Sequence, residues 1–238
     1  MKIISIILLI LSLSSCNTIK KQAERAAIRN ERFTVDLRSP QLPIGEIQAQ
    51  FNNLFPMPGI RTVDIVVIYF PYEDAVCLNY RLNTYTYHFF WHKQGRDSFV
   101  KALEQYNADF EARRLREGRN SRTKSQYGTV KEFFLYWQQM QQARLTSIAN
   151  GNMDIELGYY FRDKSPFFAV TQLQAYFESP TFFQEDNDLS PEIPIFFTRA
   201  QANELAALFD QDFLQSLAPV RQPAAGSRTP AGVEVDSY

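Results

Sequence analysis

The sequence predicts an α+β fold, an antiparallel sheet of about six strands with two main amphipathic helices. Three observations lead there. Aromatic residues make up 14% of the chain, with 20 Phe and 12 Tyr, and they cluster with β-branched residues in short runs that suit a pleated, half-buried surface. Several runs alternate apolar and polar residues, the period-2 pattern of a strand with one buried face. Other stretches carry apolar residues three and four apart, the period of a helix face. Hydrophobic residues are 45% of the 238-residue chain, enough for a substantial core.

The elements follow in order. Pro43 opens a short helix with Ile44, Ile47, Phe51, Leu54 and Phe55 on one face, ended by Pro56 and by Pro58-Gly59. Residues 62–70 (TVDIVVIYF) are nearly continuous apolar, as a central strand covered on both faces would be. Residues 71–74 turn. In 75–82, Val76, Leu78, Tyr80 and Leu82 share a face. The phase then slips to Tyr85, Tyr87, Phe89 and Trp91, so Asn83-Thr84 is a turn or a bulge. Asp97 or Ser98 caps a helix over 99–117, faced by Phe99, Leu103, Tyr106 and Phe110 and stopped at Gly118.

Residues 129–148 support two readings. A capping box of Thr129 with Glu132 and the spacing of Val130, Phe133, Phe134 and Trp137 favour a helix. The aromatic density of 133–137 favours a strand, and the first half is taken as one. Residues 153–162 alternate cleanly, Met153, Ile155, Leu157, Tyr159 and Phe161 against polar neighbours, and 167–177 return antiparallel. An acidic loop, 184–192, precedes a second capping box, Thr198 with Gln201. The helix it opens has the stripe Leu205, Leu208, Phe209, Phe213 and Leu217. The order can be written as three strands and a helix, twice, so the domain can be drawn as two βββα halves.

The ends of the chain carry an address. Lys2 and the apolar stretch 3–13 have the form of a signal peptide, and the stretch is too short to span a bilayer, which takes about 20 residues. Leu13-Ser14-Ser15-Cys16 resembles the bacterial lipobox, an aliphatic residue and two small ones before an obligatory Cys. The resemblance covers residues 1–16 only. It implies diacylglycerol on the Cys16 thiol, cleavage before Cys16, and acylation (palmitate among the chains) of the freed amine. The implied address is the bacterial cell envelope, with the membrane reached through the lipid anchor. Asn17 stands where related lipoproteins carry Asp for inner-membrane retention, which points to the outer membrane. The chain thus divides into a signal peptide (1–15), a lipidated Cys and polar tether (16–42), a single α+β domain (43–218) and a disordered tail (219–238). With Cys16 acylated, Cys77 has no disulfide partner and belongs in the core.

Function is less legible. The net charge of −1 gives no footprint of nucleic-acid binding. No catalytic, cofactor-binding or metal motif stands out. His88 and His92 are four apart in a strand pattern, so they lie about 13 Å from each other. Glu185, Asp186 and Asp188 lack the spacing of an EF-hand. Asp154 and Glu156 share one strand face, as alternating solvated residues do. Tyr72, Tyr160, Phe168 and Tyr176 fall on the less certain strand faces and are candidates for a binding groove. The strongest basic cluster is Arg113, Arg114, Arg116, Arg119, Arg122 and Lys124, a candidate surface for an anion or a partner. The reading that results is a lipid-anchored envelope protein that binds a protein, peptide or cell-wall partner without catalysis. The alternatives are an envelope hydrolase with an unrecognised site and a carrier of a small hydrophobic ligand.

Overall fold

Eight strands, each antiparallel to its sequence neighbours, close on themselves as a barrel. A computed structural model describes residues 35–53, 59–82, 85–117, 127–139, 146–174, 190 and 192–217. The strands are β1 (Leu42–Asn53), β2 (Gly59–Phe70), β3 (Ala75–Leu82), β4 (Tyr85–His92), β5 (Gly128–Gln139), β6 (Thr146–Arg162), β7 (Ser165–Gln172) and β8 (Ile193–Phe197). Closure comes from β1 pairing with β8, Gln50 opposite Phe196 and Phe51 opposite Ile195. Closing the ring removes the unpaired edges that an open antiparallel sheet exposes.

Side-chain alternation decides which face is core. Ile47, Ala49 and Phe51 of β1, Ile65, Val67 and Tyr69 of β2, and Val76, Leu78 and Tyr80 of β3 point inward. So do Tyr87, Phe89 and Trp91 of β4, Ile155, Leu157 and Tyr159 of β6, and Ile195 and Phe197 of β8. Outward positions on β1 and on the first half of β2 include Glu46, Gln48 and Asp64, all exposed, whereas Val66, Ile68 and Phe70 make the outer face of the second half of β2 apolar.

Among the described residues, three helices, α1 (Lys93–Glu111), α2 (Arg199–Leu208) and α3 (Gln211–Leu217), close one end. Helix α1 follows β4 directly and leads to the start of β5, while α2 follows β8, so both leave from the barrel end at which the β2–β3 and β6–β7 turns lie. Phe99 and Tyr106 of α1 reach into the core, where Phe99 meets Trp91, Phe168 and Phe209 edge-on or tilted. Tyr106 also donates from its hydroxyl to the Pro166 carbonyl at 3.0 Å, which fixes α1 over β7.

The open α+β sheet of six strands, and with it the two βββα halves, is therefore overturned by a closed barrel that is mostly sheet. The two strands missing from that expectation, β1 and β8, are the pair that closes the ring. Residues 43–55 were expected as a helix because Ile44, Ile47 and Phe51 fit its spacing. The stronger constraint is the alternation of Ile47, Ala49 and Phe51 with Glu46, Gln48 and Gln50, which gives β1 one inward face against β2. Residues 193–197 (IPIFF) are too short and too uniformly apolar to show a period, yet they fill the gap between β7 and β1.

Other expectations fare variously. Strand β5 bears out the strand reading of the first half of 129–148, and β6 continues the barrel from residue 146. The capping box of Thr198 and Gln201 forms at the start of α2, with both hydrogen bonds present. Helix α1 begins earlier than expected, at Lys93, and ends at Glu111; Arg113 then adopts a left-handed conformation at φ 53°. The signal peptide, Cys16, the tether through residue 34, Asn83-Thr84, Gly118, Tyr176, residues 181–189 with Glu185, Asp186 and Asp188, and the tail 219–238 lie outside the described residues.

Candidate functional site

The helix-closed end is organised by one buried arginine. Arg96, on the first turns of α1, is 1% exposed. Its guanidinium donates to the Asp74 carbonyl at 2.6 Å, the Asp74 carboxylate at 2.8 Å, the Trp91 carbonyl at 3.1 Å and the Gln211 side chain at 2.7 Å. Asp74 sits in the turn between β2 and β3 at φ 46°, a conformation that Asp tolerates better than most residues. Gln211 returns a hydrogen bond to the same carboxylate at 3.3 Å. One planar donor thus joins a turn, a strand end, α1 and α3. Tyr69 also reaches the Asp74 carboxylate, at 3.4 Å; burial and then the Asp74 charge raise its phenol above its ordinary value.

A second buried charge holds the start of α1. That helix has no side-chain cap of its own at His92. Glu132, 1% exposed on β5, supplies one from across the barrel wall. Its carboxylate accepts the His92 backbone N–H at 3.1 Å and lies 2.8 Å from His92 Nδ1. Negative charge is favourable at that end of a helix. Burial raises the Glu132 carboxyl above its ordinary value, opposed by the hydrogen bonds and charge of His92 and by Arg96. The close approach needs Gly95, because a Cβ there would fall 1.7 Å from Glu132 Oε1. A His–Glu pair has the parts for proton transfer, but here both groups are spent on fixing α1 to β5.

Exposed apolar side chains surround this hub. Tyr72, in the β2–β3 turn, is 53% exposed. Leu37 lies in a segment tied to the same turn by Ser39 Oγ donating to Glu73 at 2.5 Å. Phe213 and Leu217 lie four apart on α3, which is tied to Asp74 through Gln211, and both are exposed while Leu214 points inward. Of the five exposed large hydrophobics among the described residues, only Val66 lies elsewhere, on the outer wall of β2. The rim is acidic. Asp36, Asp97, Asp210 and Asp212 are exposed and Glu73 half-buried, against exposed Arg38 and Lys93.

The residues singled out from the sequence are scattered. Arg113, Arg114 and Arg116 follow α1 and are exposed. Arg114 is paired with Asp109 at 2.8 Å, whereas Arg119, Arg122 and Lys124 lie outside the described residues. His88 faces Asn79 at 3.3 Å and Cys77 at 3.9 Å on the outer wall, and burial lowers its imidazole. His92 turns instead to Glu132. No group of three or more His, Cys, Asp or Glu side chains fit to hold a metal occurs among the described residues. Asp154 and Glu156 lie on the outward face of β6. Phe168 is core, Tyr160 is half-buried against Phe196, and Tyr72 alone of the four aromatic candidates is exposed among the described residues.

Phe213 and Leu217 were expected in the core stripe of one long helix. The helix breaks at Phe209, and Asp210 starts α3 afresh by accepting the Phe213 N–H at 2.8 Å, which turns Leu214 inward. The sequence signal was Asp210 itself, a residue suited to an N-cap within an apolar run.

No curated protein and no solved structure matches the chain. One family does, over residues 22–216, and the match begins after Cys16, so it does not bear on the lipobox. Covering most of the chain and agreeing with a bacterial source, that match makes the protein a member of the family described as "Uncharacterised Treponema protein".

Proposed function

We propose that the protein is a lipid-anchored component of the bacterial envelope that binds a partner protein through its helix-closed end and catalyses no reaction. The observation that carries this reading is the gathering of Tyr72, Leu37, Phe213 and Leu217 around the turn that Arg96 holds rigid. Exposed aromatic and aliphatic side chains grouped on a fixed scaffold mark an interaction surface. The acidic rim favours a partner with basic residues around an apolar centre and disfavours an anionic wall polymer at this end. The lipobox supports the anchor. An acylated Cys16 would hold a weak interface at high effective concentration near its partner. No helix among the described residues is long and apolar enough to cross a membrane.

The test is in-cell photo-crosslinking with a photoreactive residue at position 72, compared with one at position 66. A discrete protein adduct from 72 that is absent from 66 and lost with Phe213→Glu supports the reading. Equal adducts from both positions, or none, would overturn it. Cys16→Ala tests the anchor separately: the adduct should weaken while the purified variant keeps its fold.

A further inference from the structure

The outer wall over β6, β7, β8 and β1 carries a side-chain strut. Gly158, Ala169, Phe196 and Gln50 lie directly opposite one another on these strands. They face outward, since Leu157, Tyr159, Val170, Ile195 and Phe51 take the inward positions. Gly158 and Ala169 have nothing beyond a Cβ, which leaves a trough between bulkier neighbours. A twisted sheet is saddle-shaped, so side chains can also lie diagonally across its outer face. Two residues of β6 do so. Tyr160 leans over the trough onto Phe196, with ring centroids 5.2 Å apart. Arg162 reaches further, over β7 and β8, and its Nη1 donates to Gln50 Oε1 on β1 at 2.5 Å. Its charged neighbour Asp163 is exposed and 3.8 Å away, so Gln50 is the one close partner of Arg162 among the described residues.

The strut ends where the backbone holds least. Among the described residues, β1 and β8 share only the pairs Gln50–Phe196 and Phe51–Ile195. The ladder is short because α2 follows β8 at once and packs on the first half of β1, with Leu208 so close to Gly45 that a Cβ there would fall 2.8 Å from Leu208 Cδ1. Gln50 therefore belongs to the seam and also receives the strut. We infer that Arg162, held on Gln50, is a clasp that governs lateral opening of the barrel: the seam between β1 and β8 parts when the guanidinium leaves Gln50. Backbone pairing closes the other strand junctions along longer ladders. At this junction one charge-assisted hydrogen bond does part of that task from β6. The Arg162 side chain is 32% exposed, so the clasp releases without unpacking the core. Behind it lie Phe51 and Ile195, and parting the seam would uncover the interior from the side. The clasp uses no residue of the proposed docking surface and stands apart from that reading.

Native-state hydrogen exchange of the full chain, read residue by residue, tests the clasp. Arg162→Met keeps a long side chain over the trough and removes the donors. It should quicken exchange at residues 50, 51, 195 and 196 about tenfold, the loss of one charge-assisted hydrogen bond. Exchange at residues 76–80 of β3 should stay as in the parent. Gln50→Met removes the acceptor instead and should give the same local quickening. The double variant should open no faster than either single one, because both delete the same bond. Three results would overturn the clasp: unchanged exchange at the seam in Arg162→Met, equal quickening in β3, which would make Arg162 a contributor to global stability only, and additive effects of the two substitutions, which would mean that the residues act separately.

Discussion

At the scale of single residues, the buried charges are informative because their costs oppose each other. Glu132 caps α1 from β5, yet burial makes its charged form unfavourable, and that effect outweighs the help of His92 and Arg96. Its carboxyl therefore binds a proton more tightly in the folded chain than in the unfolded one. The sign follows: the stability due to that proton is present below the ordinary value of 4.5 and is lost as pH rises through the higher folded value. Glu132→Gln has no proton to lose. Relative to the parent, the variant should therefore gain stability as pH is raised through the carboxyl range, by about 1 kcal/mol per pH unit within that window. Urea unfolding of both chains at several pH values measures the difference. A flat difference, or one moving toward the parent, would mean that His92 and Arg96 overcome burial.

At the scale of elements, the closing seam is the weak part of the barrel. Strand β8 has five residues and meets β1 at two register pairs. Ile195 is fully buried there between Phe51 and Val170. Ile195→Ala should cost about 2–4 kcal/mol, the usual range for such a truncation. Native-state hydrogen exchange should quicken in β1 and β8 more than in β3 and β4, since local opening starts where the fewest bonds hold; a uniform quickening would show that the seam does not open on its own. The seam is also where the sequence was least legible. Residues 153–162 alternate so cleanly that β6 could be read directly. In 43–55 the apolar residues satisfied the helical and strand periods together, and only a partner strand decides between them. IPIFF offers no period, and its partners lie on distant parts of the chain. The site was half legible for a related reason. Tyr72 sits in a visible turn, but Phe213 and Leu217 face outward only because Asp210 restarts the helix.

At the scale of the whole molecule, the question is whether the barrel is a container. Eight strands enclose an interior that side chains can just fill or that holds one small ligand. Here the rings of Phe51, Tyr80, Phe89, Trp91, Phe99 and Phe168 occupy it and retain almost no accessible surface. A filled barrel suits a rigid support that presents a binding surface on its outside. Trp91 allows a direct test. Its ring lies 4.8 Å from Phe89, 5.6 Å from Phe99 and 5.5 Å from Phe209, centroid to centroid. Trp91→Ala would open an apolar void on the order of 100–150 Å³, in the range that accepts benzene. Truncation of a buried Trp costs about 3–5 kcal/mol. Its Nε1 is buried without a hydrogen-bond partner among the described residues, and removing an unsatisfied donor offsets about 1 kcal/mol or more of that loss. The net loss should then be about 2–4 kcal/mol. Indole or benzene should raise the melting temperature of Trp91→Ala and leave the parent unchanged, because only the variant has room. If instead the parent bound indole or a fluorescent fatty-acid analogue saturably at one per chain, its interior would have to open around a ligand, and the barrel would be a carrier rather than a support.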